Sequence, residues 1–244
     1  EIEGIDIMLA IDVSTSMLAE DLKPNRLEAA KDVAAEFING RPNDNIGITL
    51  FAGETFTQCP LTVDHAVLLD MIHNIKCGLI TDGTAVGMGI ANAVTRLKDS
   101  KAKSKVIILL TDGTNNKGDI SPMTAAEIAK SFGIRVYTIG VGTNGMAPYP
   151  YPVGNTVQYV SMPVEIDEKT LTEIAGTTDG NYFRATSNSK LKEVYEEIDK
   201  LEKTKLNVKE YSKRDEEYHW FALAAFLCVL LEVLLRNSVL KKIP

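Results

Sequence analysis

The chain has 244 residues, of which 45% are hydrophobic and 24% are charged, and its formal net charge is −7. This length fits one sizeable folded domain with an appendage, and the absence of a basic stripe argues against nucleic acid as a partner. Three cysteines are too few for a disulfide scaffold. Cys59 and Cys77 could pair in an oxidising compartment, although buried free thiols are the commoner state.

Short apolar runs alternate with amphipathic stretches along the chain, which is the pattern of parallel strand–helix–strand units. The first run, 5–11, is apolar almost throughout, as expected of a central parallel strand. Strands are predicted at 5–11, 46–52, 55–59, 106–110, 135–141 and 182–183, and helices at 27–38, 64–76, 85–97, 121–132, 167–175 and 187–206.

This order of elements predicts an α/β fold: a doubly wound, mostly parallel, Rossmann-like sheet with helices on both faces. The strand at 55–59 is predicted to be an antiparallel edge strand that ends at Pro60. In a doubly wound sheet, ligands bind outside the carboxyl ends of the strands. Candidate functional residues are therefore sought at that rim.

A proline-rich segment follows the strand at 135–141. Within residues 143–161, Pro148, Pro150 and Pro152 alternate with Tyr149 and Tyr151. We expect a long loop there, and loops of this length in a compact domain are usually functional or disordered. Because it follows a parallel strand, it should lie on the rim formed by the carboxyl ends. Partner recognition and simple solvation remain equally open for it.

Three oxygen-bearing side chains follow the first strand at alternate positions, Asp12, Ser14 and Ser16. In extended chain, alternate side chains point to one side. Asp112, at the end of the most apolar strand, and Thr84, just before a predicted helix, would reach the same rim. Carboxylates and hydroxyls are hard ligands, suited to Mg²⁺, Mn²⁺ or Ca²⁺ rather than zinc. The sequence thus predicts a divalent-metal site formed by these five residues.

The pattern D-x-S-x-S, followed by a distant Thr and a distant Asp, resembles the metal-ion-dependent adhesion site of the von Willebrand factor A (VWA) domain family. The resemblance covers roughly residues 4–205, and all five positions occur in the family's order. It implies a VWA fold that holds a divalent cation, Mg²⁺ first among the candidates. It also implies that an acidic side chain of a protein partner completes the coordination of that cation.

The charge balance of the predicted site fits this use. Asp12 and Asp112 would balance a divalent cation, which would retain enough Lewis acidity to accept one more carboxylate. Amides at the start of the helix after Thr84 could hold metal-bound water or an anion. Asp82 could approach the metal, although a role in the turn before Gly83 is the simpler interpretation.

An apolar segment lies near the C-terminus. Residues 220–235 are apolar apart from Glu232, which could pair with another membrane helix. Tyr218 and Trp220 suit one membrane interface and Arg236 suits the other. Because about 20 residues cross a bilayer, we predict a transmembrane helix at 219–238. The alternative is a buried C-terminal helix of the soluble core.

The predicted organisation is a VWA domain at 1–207, a juxtamembrane linker at 208–218, the transmembrane helix, and a basic cytoplasmic tail at 239–244. Arg236, Lys241 and Lys242 follow the span. By the positive-inside rule, the tail lies in the cytoplasm and the domain lies outside it.

Segments 17–27, 58–62 and 216–220 are similar to the aerotolerance-type (BatA/BatB-like) bacterial membrane proteins. This resemblance implies the bacterial inner membrane, with the VWA domain in the periplasm, and a role in envelope stress tolerance. It also implies association with MoxR-type AAA+ ATPases and with other membrane proteins of the same system. Because the chain does not begin with Met and a strand starts within about five residues, we expect its natural N-terminus upstream.

Three other functions compete with that of a binding protein. Asp12 could be the nucleophile of a haloacid-dehalogenase-like phosphotransfer enzyme, helped by Lys105 and Asp112, but Ser14 stands where that chemistry uses a second aspartate. A serine hydrolase lacks its G-x-S-x-G elbow. The remaining alternative is a structural membrane scaffold in which the metal merely joins two loops. The sequence therefore favours a protein that is not an enzyme.

Overall fold

The computed structural model describes residues 4–154 and 156–212, together with positions 222, 223, 225–227, 229, 232 and 233. The chain divides into two compact units, Glu1–Lys203 and Thr204–Pro244. The first unit holds the α/β domain that carries the candidate site.

The elements of the described chain alternate as the sequence predicts. In order, they are β1 (Asp6–Asp12), α1 (Arg26–Asn39), β2 (Asn45–Phe51), β3 (Thr55–Thr62), α2 (His65–His73), α3 (Val86–Leu97), β4 (Lys105–Thr111), α4 (Pro122–Ser131), β5 (Arg135–Val141), β6 (Met146–Val153), β7 (Thr156–Pro163), α5 (Glu168–Thr177), β8 (Tyr182–Ala185) and α6 (Asn188–Ser212). A single turn of 3-10 helix, Thr15–Leu18, follows β1.

The main sheet has the strand order β3-β2-β1-β4-β5-β8. Its neighbours are parallel except β3, which is antiparallel to β2. The predicted doubly wound, mostly parallel sheet is therefore confirmed. The order reverses between β1 and β4, and this reversal is where such sheets bind ligands, at the carboxyl ends of the strands.

The central strands are buried on both faces, which explains their continuous apolar sequences. Met8 and Ala10 of β1 share one core with α3, α4 and α5. Strand alternation turns Ile7 and Leu9, which are also buried, toward the opposite layer. On that side α1 packs against α6, with the rings of Phe37 and Tyr195 5.0 Å apart. The sheet thus lies between two helical layers.

The predicted end of β3 at Pro60 is wrong, because the strand continues to Thr62. β3 is an edge strand, and its pairing with β2 shifts register between Ile46 and Thr49. A proline is tolerated at such an edge or bulge because no ladder hydrogen bond needs its missing N–H.

The predicted loop at 143–161 is also wrong, because most of it forms the hairpin β6–β7. In an antiparallel pair, polar backbone groups alternate between the partner strand and the outer edge. Because the prolines of β6 stand at every second position, they can all face the outer edge. No partner strand needs an N–H group there. Consistently, the carbonyl of Pro148 faces away from β7 and accepts a hydrogen bond from the Glu20 N–H at 2.8 Å.

Helix α6 continues to Ser212 and so enters the stretch 208–218 that the sequence assigns to a linker. The predicted transmembrane helix at 219–238 falls mostly outside the described residues, and it stays a prediction. In the part of the chain that the structure describes, no helix combines the length and the hydrophobicity needed to cross a membrane.

Candidate metal centre

Asp12 ends β1, and its side chain is fully buried. Its Oδ1 accepts a hydrogen bond from the Ser14 N–H at 2.9 Å, and its Oδ2 accepts one from the Thr111 hydroxyl at 2.6 Å. The first bond turns the chain as it leaves the strand, and the second ties the carboxylate to the end of β4. Asp12 is therefore fixed between the two central strands.

The hydroxyl groups after β1 connect this strand end to the next carboxylate. Ser14 Oγ lies 2.9 Å from Ser16 Oγ, and the Ser16 hydroxyl donates to Asp112 Oδ1 at 2.7 Å. Four of the five predicted ligands, Asp12, Ser14, Ser16 and Asp112, thus form one hydrogen-bonded group at the carboxyl ends of β1 and β4.

Thr84, the fifth predicted ligand, is buried in the loop before α3. A Cβ at Gly113 would lie 3.3 Å from Thr84 Oγ1, so this hydroxyl lies beside the residue that follows Asp112. Gly53 permits the approach, because a Cβ there would lie only 2.7 Å from the carbonyl oxygen of Thr81. All five predicted residues therefore reach one rim of the sheet.

The amides near the start of α3 have side-chain partners from the loop after β4. The Thr84 N–H donates to Asn116 Oδ1 at 2.9 Å, and the Gly87 N–H donates to Asn115 Oδ1 at 3.4 Å. The Gly87 amide of α3 thus has an asparagine partner, while the role of the helix amides in holding metal-bound water or an anion stays a prediction.

Asp82 joins two loops of the rim. Its Oδ1 accepts from the Thr15 N–H at 3.0 Å, and its Oδ2 accepts from the Thr15 hydroxyl at 2.8 Å. Both oxygens are thus used to hold the loop that carries Ser14 and Ser16, a role broader than the turn before Gly83.

Arg26 is a residue of the site that the sequence analysis missed. Its Nη1 donates to Asp112 Oδ2 at 2.6 Å, while its Nε and Nη2 donate to the two oxygens of Asp21 at 2.7 Å each. Arg26 is buried and opens α1. The helix dipole disfavours a cation at a helix N-terminus. An arginine at the first position of α1 was therefore a sequence feature that indicated a specific acidic partner.

The electrostatics of the cluster favour a cation. Burial raises the pKa of Asp12 to about 7, and the charge of Asp112 adds to the rise. Burial also raises the pKa of Asp112, although Arg26 opposes it. Since Arg26 is shared with Asp21, the carboxylates outnumber the guanidinium. This excess of buried negative charge, together with the neighbouring hydroxyls, suits a hard divalent ion.

No cluster of three or more His, Cys, Asp or Glu side chains in metal-binding positions occurs among the described residues. The candidate centre is of a different kind, since its donors are two carboxylates and three hydroxyls. Cys59 and Cys77 are free thiols, the commoner state expected from the sequence. Cys77 donates to the Ser14 carbonyl at 3.4 Å, and burial, followed by Asp12, raises its pKa to about 12.

The geometry does not support the phosphotransfer alternative. Lys105 begins β4, whereas Asp112 directly follows its last residue, Thr111. In the register of the sheet, Lys105 pairs with Asp6 at the amino end of β1. It therefore lies at the end of the sheet opposite Asp12 and cannot assist chemistry there.

A doubly wound sheet with an oxygen cluster at the β1/β4 reversal defines an α/β ligand-binding domain. A family model, von Willebrand factor type A domain, matches residues 6–197. The chain belongs to the VWA domain family, whose members are typically metal-dependent protein-interaction modules.

Within that family, two solved structures from Bacteroides are similar over nearly their whole length. BatB from Bacteroides thetaiotaomicron is 34% identical, with a TM-score of 0.72 over 82% of this chain and 100% of that one. An aerotolerance-related membrane protein from Bacteroides fragilis is 32% identical, with a TM-score of 0.71 over 81% and 98%. The chain thus resembles the aerotolerance-type VWA proteins.

Two further relatives match this chain over only part of their own length. A UPF0353 protein from Mycolicibacterium paratuberculosis is 32% identical over 78% of this chain, which spans 58% of that relative's length. Proximal thread matrix protein 1 from the mussel byssus is 25% identical, with a TM-score of 0.64 over 82% of this chain and 46% of that one, and its adhesion-site motif is occupied by zinc.

Proposed function

We propose that this chain is a membrane-anchored, metal-dependent protein-binding module that is not an enzyme. In this proposal Asp12, Ser14, Ser16, Thr84 and Asp112 hold a divalent cation, Mg²⁺ first, with Mn²⁺ and Ca²⁺ as alternatives. The observation that supports it most strongly is the hydrogen-bonded group of Asp12, Ser14, Ser16 and Asp112 at the carboxyl ends of β1 and β4. The usual function of VWA domains supports it as well.

Some residues of the site supply negative charge, and others fix the orientation of the carboxylates. Asp12 and Asp112 supply the negative charge, and a cation bound between them would offer a coordination position to a partner's carboxylate. Thr111 holds one oxygen of Asp12, and Arg26 holds one oxygen of Asp112. Such outer contacts fix the orientation of metal-binding carboxylates.

We further propose that the segment 219–238 anchors the chain in the bacterial inner membrane, with the VWA domain in the periplasm. The similarity to an aerotolerance-related membrane protein of Bacteroides fragilis supports a membrane location. Candidate partners are other membrane proteins of the same system and a MoxR-type AAA+ ATPase. The partner contributes an acidic side chain.

Calorimetric titration of the detergent-solubilised full chain with Mg²⁺ tests the metal site. We expect the wild type to bind the ion saturably and Asp12→Ala to bind it at least about 100-fold more weakly, because one of two charged ligands is lost. The circular dichroism of the variant should be unchanged. Asp119→Asn is the matched control, since Asp119 is an exposed acid in the loop after β4, and it should bind Mg²⁺ normally.

The binding function is tested separately by capture from solubilised membranes. Proteins retained by the wild-type chain in Mg²⁺ should be released by EDTA and should not be retained by Asp12→Ala. Equal retention with EDTA present would contradict the proposal and favour the structural scaffold, in which the metal only joins two loops.

A further inference from the structure

The β6–β7 hairpin differs in composition from the rest of the chain. Residues 146–163 include no Asp, Glu, Lys, Arg or His, in a chain that is 24% charged. Seven large apolar or aromatic side chains of the hairpin are exposed by 43–60%: Met146, Tyr151, Val153, Val157, Tyr159, Val160 and Met162. Exposed apolar surface of this kind is typical of protein interaction sites.

Two hydrogen bonds to Glu20 hold the hairpin beside the candidate metal centre, and a third closes its base. The Glu20 N–H donates to the Pro148 carbonyl at 2.8 Å, and the Tyr159 hydroxyl donates to Glu20 Oε1 at 2.8 Å. At the base, the Val164 N–H donates to the Gly145 carbonyl at 2.8 Å. Because Glu20 closely follows the 3-10 turn that carries Ser16, the two bonds to Glu20 hold the hairpin next to that turn.

A cavity of about 250 Å³ lies between the hairpin and the 3-10 turn. Thr15, Ser16 and Arg26 line it on one side, and Tyr149, Tyr151 and Met162 line it on the other. Ser16 and Arg26 both donate to Asp112. The polar side of the cavity is therefore part of the candidate metal centre, while its other side is aromatic and aliphatic.

We propose that the partner segment carries a large apolar side chain, such as Leu or Phe, near the acidic residue. The apolar side chain packs in the cavity against Tyr151 and Met162, and the acid reaches the metal centre. This inference rests on the proposed function and adds the partner's chemistry to it. The hairpin has no charged side chain that could form an ion pair with the partner. Apart from the recognition of the acidic residue by the metal centre, selection among partner segments therefore comes from apolar contact.

A displayed library of random peptides, selected on the immobilised full chain in Mg²⁺ and eluted with EDTA, tests the proposal. We expect the recovered peptides to contain Asp or Glu with a Leu, Phe or similar residue at a fixed spacing. The same selection on Tyr151→Ser/Met162→Ser should recover acidic peptides without the apolar preference.

One recovered peptide then serves in a double-mutant cycle. Replacing its apolar residue with Gly should weaken binding to the wild type about 10- to 100-fold, the effect of exposing one large apolar side chain. The same replacement should have little effect on binding to Tyr151→Ser/Met162→Ser. Val157→Ser is the matched control, because Val157 is 59% exposed in the same hairpin but does not line the cavity.

The outcomes separate the two proposals. Acidic peptides without an apolar preference would overturn this inference and leave the proposed function standing. If EDTA elutes no peptide that depends on its acid, the proposed function fails, and the inference fails with it. If the hairpin substitutions change only self-association of the chain in sedimentation, or only its adsorption to phosphatidylglycerol vesicles, the hairpin serves a different contact and the inference is wrong.

Discussion

At the scale of single residues, the site depends on how buried charges are balanced. Asp112 and Asp21 share one guanidinium, Arg26, and burial raises the pKa values of Asp12 and Asp112. Holding an ionised carboxylate away from water lowers the stability of the fold unless a positive charge is near. The cluster is therefore built for binding at the expense of stability in cation-free protein.

Asp12→Asn should reveal this conflict. The amide keeps an acceptor for the Ser14 N–H but removes the buried charge. In EDTA at pH 7 we expect the Tm of the variant to lie roughly 2–8 °C above that of the wild type. Each kcal/mol gained in the free energy of unfolding raises the Tm of a domain of this size by about 2–4 °C. Added Mg²⁺ should raise the Tm of the wild type and not that of the variant. A lower Tm for Asp12→Asn in EDTA, with Asp119→Asn unchanged, would contradict this explanation.

The sequence predicts the placement of the five candidate ligands because each follows a strand or precedes a helix whose pattern is clear. It does not predict Thr111 or Arg26 as their partners. Thr111 takes part through strand register, which a single sequence does not encode locally. Arg26 reaches Asp112 across 86 positions of the chain, and only the folded structure brings the two together.

At the scale of elements, hydrophobic patterning accounts for most of the fold. β1, β4 and β5 are buried on both faces, so the continuous apolar runs of β1 and β4 and the largely apolar run of β5 predict these strands almost to the residue. Hydrophobic patterning does not predict the hairpin β6–β7, because its prolines and exposed side chains are typical of loops. Its strand character depends on the spacing of the prolines, which leaves one edge of β6 free to pair.

Helix α6 is fastened to the sheet by a buried carboxylate. Glu202 accepts hydrogen bonds from Arg135 at 2.8 and 2.7 Å, from Tyr137 at 2.6 Å and from Ser104 at 2.7 Å. Burial alone would raise its pKa, but the bonds from Arg135 and Tyr137 outweigh burial and lower it. The ionised form of Glu202 therefore stabilises the folded chain.

Glu202→Gln should lower the free energy of unfolding at pH 7 by roughly 2–4 kcal/mol, because Arg135 loses its buried counter-charge. The lowered pKa means that this contribution is present above about 4.5 and is lost as the pH falls below that value. Denaturant unfolding should thus show a gap between wild type and variant that narrows in acid. Glu197→Gln, an exposed change on the same helix, should stay within about 0.5 kcal/mol of the wild type. A gap independent of pH would contradict the role of the charge.

At the scale of the whole molecule, the two ends of the sheet in the α/β unit carry different groups of side chains. The candidate metal centre occupies the carboxyl ends of β1 and β4, whereas Glu202 contacts Ser104 and Arg135 at the amino ends of β4 and β5. The candidate metal centre and the buried carboxylate that holds α6 therefore lie at opposite ends of the sheet.

The proposed topology can be tested by thiol labelling in cells that naturally produce the protein. In a chain whose cysteines are replaced by Ala, Asp119→Cys should react with a membrane-impermeant maleimide once the outer barrier is opened, because the proposal places the VWA domain in the periplasm. Pro244→Cys should react only after the inner membrane is permeabilised, because the positive-inside rule, applied to Arg236, Lys241 and Lys242, predicts a cytoplasmic tail. The opposite labelling would place the candidate metal centre in the cytoplasm and its acidic partner with it. Labelling of both positions without permeabilisation would contradict the membrane span.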